Sequence, residues 1–240
     1  MSKKYKNKKC VYCAESISVT GDHVFAREFF LADQRDNLPQ VPACAKCNGK
    51  KSELEHYLTS VLPFGGMHAQ AKKNLETMVP KRLIKNNKLY STLRSGMTYV
   101  ENNGTRNMAL PVKGEHVAEL FAYIAKGLSW FHWNAIIDKT SFVYATSLTK
   151  TGERFFQEYY FALHANQRIE NTIGDDAFSY IGVQGVDTDQ ITIWKFKIYA
   201  GITMTDGNTL NNCSNSIGVL TGPLSMKSIV VSIFDNPKTN

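Results

Sequence analysis

The sequence predicts an α+β protein, with a small cysteine-framed strand, strand, helix module at the N-terminus and a larger α+β region carrying an antiparallel sheet behind it. Three observations support this. Two Cys-x-x-C pairs, Cys10/Cys13 and Cys44/Cys47, frame the N-terminal segment. An amphipathic run follows, with Leu54, Tyr57, Leu58, Val61 and Leu62 at helical spacing. In the C-terminal half, several apolar segments alternate with polar residues at the period of two that a half-buried strand requires.

In chain order, "KKCVYCAES" reads as a short strand turning through a metal knuckle, and "SVTGDHVFA" as a turn and a second strand. "NLPQVPACAKCNGKK" then returns through two prolines to the second cysteine pair. The amphipathic helix runs from Asn48 and ends before Pro63, Gly65 and Gly66, closing a module over 1–64. Residues 65–110 read as a basic connector with a surface suited to face DNA: "AKKNLETMVPKRLIKNNKLYSTLR" is helical with a break at Pro80, and "ENNGTRN" is a loop or short hairpin. In the C-terminal domain, 111–240, Val117, Leu120, Phe121, Ile124 and Leu128 predict a helix over "GEHVAELFAYIAKGLSWFHW". Strands are expected at "TSFVYATSL", "ERFFQEYYFALHA", "DAFSYIGVQGV", "ITIWKFKIYAGITMT" and "KSIVVSIF".

Composition narrows the class. With 240 residues, 43% of them hydrophobic and 11% aromatic, the chain can bury a substantial core. No apolar run has the length of a membrane span, and the Lys-rich "MSKKYKNKK" leads into no apolar signal core, so a cytoplasmic protein is expected. Five cysteines, four of them in Cys-x-x-C pairs, suit a reducing compartment and a metal site better than disulfides, and Cys213 reads as an ordinary thiol. The net charge of +7 is uneven: residues 1–94 hold 17 Lys/Arg against 8 Asp/Glu, a net of +9. Such a basic half attracts a polyanion.

Asp22 and His23 stand side by side between the cysteine pairs, Asn37 opens "NLPQVPAC", and Asn48 directly follows Cys47. This order, C-x2-C, DH, NL, C-x2-C-N, resembles the HNH endonuclease family over residues 8–62, and in its cysteines the zinc-stapled branch that includes phage junction resolvases. The resemblance implies a ββα-metal module and a nuclease leaving 5′-phosphate and 3′-hydroxyl ends. By analogy it also implies a setting in bacterial restriction or phage defence.

The residue types support that chemistry independently. Four thiolates fill a tetrahedral zinc shell and leave no open position, so zinc on Cys10, Cys13, Cys44 and Cys47 is structural. Phosphodiester hydrolysis needs a water deprotonated near neutral pH, and His23 is the natural general base. It also needs a hard divalent ion at the phosphate, Mg²⁺ or Mn²⁺, for which Asp22 and Asn48 supply a carboxylate and an amide oxygen. Asn37 is expected to hold the connecting loop and orient His23 through a hydrogen bond. Many relatives carry a further histidine one turn after the metal-binding position, where this chain has Ser52, a sparse ligand set that suits Mg²⁺ or Mn²⁺. His56 lies too far along the helix to replace it and reads as an exposed flank residue.

Arg27 is expected to contact the scissile phosphate, with an ordinary surface arginine as the plain alternative, and Lys46, Lys50 and Lys51 to bind backbone phosphates, with a solvated face as theirs. The expected partner is double-stranded DNA, with a regulatory protein or a second copy at the C-terminal region and no membrane. Two other readings stand: a catalytically inactive zinc-ribbon nucleic-acid-binding protein, and an RNA-directed nuclease, since nothing in these motifs reads a 2′-hydroxyl. His68, His116, His132 and His164 read as structural, and Trp130, Phe131 and Trp133 as packing residues.

Overall fold

The computed structural model describes residues 3–102, 105–161, 168–204 and 213–235. Strands β1 (Thr20–His23) and β2 (Gln40–Ala43) pair antiparallel, and α1 (Ala45–Val61) follows directly. The segment expected as the first strand is instead a series of turns around Cys10–Cys13, closed by a single bridge between Lys9 and Ile17. The second strand is the proline-containing β2. Pro42 is tolerated because its side of the strand faces away from β1, where its carbonyl accepts from Val11 N–H at 3.0 Å.

The described residues of the connector, 65–102 and 105–110, form helices and strands. Helices α2 (Ala69–Thr77), α3 (Val79–Lys85) and α4 (Asn87–Gly96) follow one another, and Pro80 sits in the first turn of α3, where its missing N–H costs no intrahelical bond. Strands β3 (Thr98–Asn102) and β4 (Thr105–Ala109) form the hairpin expected at "ENNGTRN". Helix α5 (Gly114–Trp133) covers the whole predicted segment and ends on Asn134 in the left-handed region at φ 56°.

The C-terminal sheet contains β5 (Ser141–Thr149), β6 (Ile169–Ile173), β7 (Phe178–Gln184), β8 (Thr192–Ile198) and β9 (Cys213–Pro223), in the order β5-β9-β8-β7-β6 and antiparallel throughout. Two predicted strands are helical. "ERFFQEYYF" falls in α6 (Lys150–Phe155) and a π-helical turn over Phe156–Phe161, whose wide turn brings Phe156 and Phe161 together into the cluster beneath one sheet face. Its start is set by Thr149, whose Oγ1 accepts from Gly152 N–H at 3.0 Å. "KSIVVSIF" lies in α7 (Lys227–Asp235), after the chain leaves the sheet at Pro223.

One buried cluster runs from the cysteine module to the far sheet face. Leu120, Phe121, Ile124 and Leu128 of α5 pack between Leu54 and Leu58 of α1 and Phe178, Phe196 and Val219 of the sheet. Phe25, two residues after His23, inserts its ring edge-on against Phe178 at 4.6 Å and stacks on Tyr180 at 5.8 Å. Gly127 lets α5 come this close, since a Cβ there would stand 2.9 Å from a methyl of Val24. The strand end carrying Asp22 and His23 is thereby anchored to the C-terminal sheet.

Candidate metal centre and its neighbouring site

The four cysteine sulfur atoms all lie within 4.8 Å of one another. A zinc ion with Zn–S bonds near 2.3 Å puts its sulfurs about 3.8 Å apart, so the cluster fits a tetrahedral ion. Cys10 and Cys44 are buried, and Cys13 and Cys47 half-buried. The backbone supports the sulfurs: Cys44 N–H donates to Cys10 Sγ at 3.3 Å, Cys47 N–H to Cys44 Sγ at 3.4 Å, and Ser16 N–H to Cys13 Sγ at 3.5 Å. Burial raises the Cys13 thiol, but the N–H groups of Ser16 and Glu15 outweigh it and bring it down to about 6. Cys10 and Cys47 are pushed up by burial, a cost that metal ligation offsets by drawing all four to thiolates. These cysteines could hold a metal such as zinc.

Cys44 also caps α1, and its carbonyl receives the Asn48 N–H at 3.0 Å, so the cysteine cluster fixes the helix start on which Asn48 sits. Across the module, Tyr12, between the first two cysteines, donates its hydroxyl to Asp22 Oδ2 at 2.6 Å. The Tyr12 phenol is pushed well up by burial and by the Asp22 charge, so it stays a donor. In turn, Lys126 of α5 donates to the Tyr12 carbonyl at 2.9 Å. The knuckle therefore reaches Asp22 through a single side chain.

Lys51 is a correction to the sequence reading. Expected among the phosphate-binding lysines, it is fully buried, lies 3.1 Å from Asp22 Oδ2, pairs with Glu55 and donates to the His23 carbonyl at 2.7 Å. An ammonium enclosed by two carboxylates and a carbonyl cannot reach a phosphate. Burial pushes the Glu55 carboxyl up against the downward pull of Lys51. Lys50 pairs with Glu119 of α5, whereas Lys46 and Arg27 are exposed.

Both contacts to Asp22 fall on Oδ2. Among the described residues Oδ1 accepts no hydrogen bond, and neither does the half-buried Asn48 side chain form one. These are the two oxygen donors expected from the sequence for a divalent ion.

His23 is half-buried, and its Nε2 lies 3.0 Å from the Gln40 amide. The register explains the contact, because His23 and Gln40 are directly opposed across β1 and β2. Asn37, expected in this role, is exposed and turns the loop at φ 57°, a left-handed conformation that asparagine adopts readily. Burial lowers the His23 pKa, the Arg27 and Lys51 cations lower it further, and Asp22 opposes them. The ring is therefore neutral at neutral pH. Gly21 lies under this pair because a Cβ there would come within 2.5 Å of the Tyr5 ring.

Other residues singled out in the sequence have structural surroundings. His56 is exposed, His68 caps α2, His116 packs edge-on against Tyr57, His132 pairs with the Tyr180 hydroxyl, and Trp133 stacks near Trp194. Cys213 is half-buried at the start of β9, and His164 lies outside the described residues. Gln40, Tyr12 and Glu55 were not found by sequence reasoning. Only the β1–β2 register could have pointed to Gln40, and only the i, i+4 spacing to Glu55. The chain matches no family model, no curated protein and no solved structure. Among the described residues, no helix is long and apolar enough to cross a membrane.

Proposed function

We propose that residues 8–62 form an HNH-type nuclease site, stapled by a structural zinc, that hydrolyses DNA phosphodiester bonds. The observation that carries the reading is the division of labour on Asp22: Tyr12 and Lys51 fix Oδ2, while among the described residues Oδ1 is left unengaged and the half-buried Asn48 amide, at the start of α1, forms no hydrogen bond. Asp22 and Asn48 would hold Mg²⁺ or Mn²⁺, which when bound supplies charge neutralisation at the scissile phosphate. His23 acts as the general base. With Gln40 on Nε2, the ring atom left to accept a proton from water is Nδ1, which requires Gln40 to turn its Oε1 toward the Nε2 hydrogen. Arg27 and Lys46, both exposed, are available to phosphates.

The test is duplex cleavage in Mg²⁺ and Mn²⁺ by Asn48→Ala and Asp22→Asn, with circular dichroism as a control on folding. Removing the Asn48 amide oxygen or the Asp22 charge is expected to cut the rate by about 10²-fold or more. Undiminished cleavage by folded protein would remove the proposed ligand set. The Lys51 contact favours a second reading, in which Asp22 is a structural lock and the module binds nucleic acid without cutting it. Binding without cleavage in any metal would select that reading.

A further inference from the structure

The chain's positive charge is concentrated away from the cysteine module. Residues 67–112 hold eight Lys/Arg against two Asp/Glu, a net of +6 in a chain whose total is +7. Among the described residues, only Lys73 and Arg82 of these eight cations form an ion pair. Lys81 and Lys85 of α3, Lys88 and Arg94 of α4, and Arg106 of β4 are all exposed and carry none. Stability does not call for an unneutralised concentration of like charge, which weakens a compact state by self-repulsion.

The shape of this arm matches its charge. Helix α4 buries Leu93 alone, and its ten residues span about 15 Å. Among the described residues the β3–β4 hairpin pairs with no other strand, and Tyr99, Glu101, Arg106 and Met108 share one exposed face in register. On that face the Arg106 guanidinium lies 4.2 Å from the centre of the Tyr99 ring, a cation stacked on an aromatic surface, with Glu101 opposite it in register. A two-stranded ribbon of this kind fits the major groove of B-DNA, which is about 12 Å wide.

The arm is rooted beside the candidate site. Arg82 donates to the Thr59 carbonyl of α1 at 2.8 Å and pairs with Glu28 at 2.8 Å, and Asn74 of α2 donates to the Phe29 carbonyl at 3.1 Å. Glu28 and Phe29 directly follow Arg27, in the segment that leaves His23.

We infer that the α3–α4 surface and the β3–β4 hairpin form a duplex-DNA-binding arm, with the helix cations on backbone phosphates and the Tyr99/Arg106 face of the hairpin in a groove. The choice of duplex DNA over other polyanions rests on the nuclease reading. The arm supplies affinity that does not depend on sequence, and His23 and Asp22 contribute little to it.

The experiment measures anisotropy of a fluorescent duplex of about 20 base pairs across a salt series, using full-length His23→Ala protein so that binding is read without cleavage. It is repeated with Lys81→Ala, Lys85→Ala, Lys88→Ala and Arg94→Ala combined in that background. All four side chains are exposed on helices, so the fold should survive, and circular dichroism checks it. Losing about 0.9 in slope for each of the four phosphate contacts, the variant is expected to flatten log K against log salt by about 3.6 and bind at least about tenfold more weakly near 100 mM salt. A second variant, Tyr99→Ala with Arg106→Ala, should lose affinity while changing the slope by about one at most. An unchanged slope in the four-site variant would overturn the inference, as would a parent protein that does not bind the duplex. So would a variant that binds DNA normally but sediments as a smaller species, which would make the arm a contact between copies. Plasmid cleavage by the wild-type chain judges the nuclease reading separately.

Discussion

Lys51, fully buried in α1, sets its ammonium 3.1 Å from Asp22 Oδ2 at the end of β1. The same ammonium donates to the His23 carbonyl and pairs with Glu55, so one lysine ties helix and strand together at the candidate site.

Replacing Lys51 with methionine leaves two largely enclosed carboxylates without their cation. Breaking a buried pair in this way costs about 3–5 kcal/mol, whereas Lys50→Ala, at an ion pair whose lysine is 58% exposed, should cost about 1 kcal/mol or less. Urea denaturation distinguishes the two. The Lys51→Met deficit should shrink on acidification. Glu55 already titrates above its ordinary 4.5, so its protonated form favours the fold at low pH and that contribution fades as pH rises through the raised pKa. Losing Lys51 steepens this trend.

Tyr12→Phe removes a hydroxyl that lies 2.6 Å from Asp22 Oδ2 and little else. A hydrogen bond to a charged group is worth about 1.5–3 kcal/mol, and a loss of that order is expected in chemical denaturation. If Tyr12 also orients Asp22, cleavage falls in the folded variant with the metal requirement raised. Unchanged metal dependence would confine Tyr12 to stability.

His23 must be neutral to accept a proton, and its pKa lies below the ordinary 6.5. The acid limb of kcat/KM is therefore expected below pH 6.5, with activity rising as pH rises through it. Burial is the largest cause and the Arg27 cation the next, so Arg27→Ala should move the limb toward higher pH. Gln40→Leu removes the amide opposite Nε2 and should lower kcat more than it raises KM. A limb above 6.5 in the wild type would contradict the assignment of His23.

Elemental analysis of purified protein should find one zinc per chain, and a strong thiol-directed chelator should release it with loss of α1 signal in circular dichroism. Cys44→Ala should be the most damaging of the four single substitutions, because Cys44 also caps α1.

The cysteine cluster was legible in the sequence because its signal is local: Cys-x-x-C spacing survives without any knowledge of packing. Helices α1 and α5 were legible for the same reason, their apolar residues repeating at 3.6. The errors arose where tertiary context decides. β2 was obscured by Pro42, harmless only because that side of the strand faces away from β1. Strand β9, between β5 and β8, was hidden by serines and asparagine, although Ser214 and Ser216 are buried and bonded to Glu153. The Phe156–Phe161 segment has the aromatic content of a strand and folds as a helix behind Thr149. Lys51 was misread because charge predicts exposure unless two carboxylates close around it, and Glu55 lies a turn away while Asp22 is on another element.

The most direct test is nicking and linearisation of supercoiled plasmid by wild-type and His23→Ala protein, in Mg²⁺, in Mn²⁺ and in EDTA. The nuclease reading predicts metal-dependent cleavage by the wild type that is lost in His23→Ala, with plasmid binding retained by both. Cleavage that persists in folded His23→Ala, or a wild type that binds plasmid and cuts it in neither metal, would contradict it.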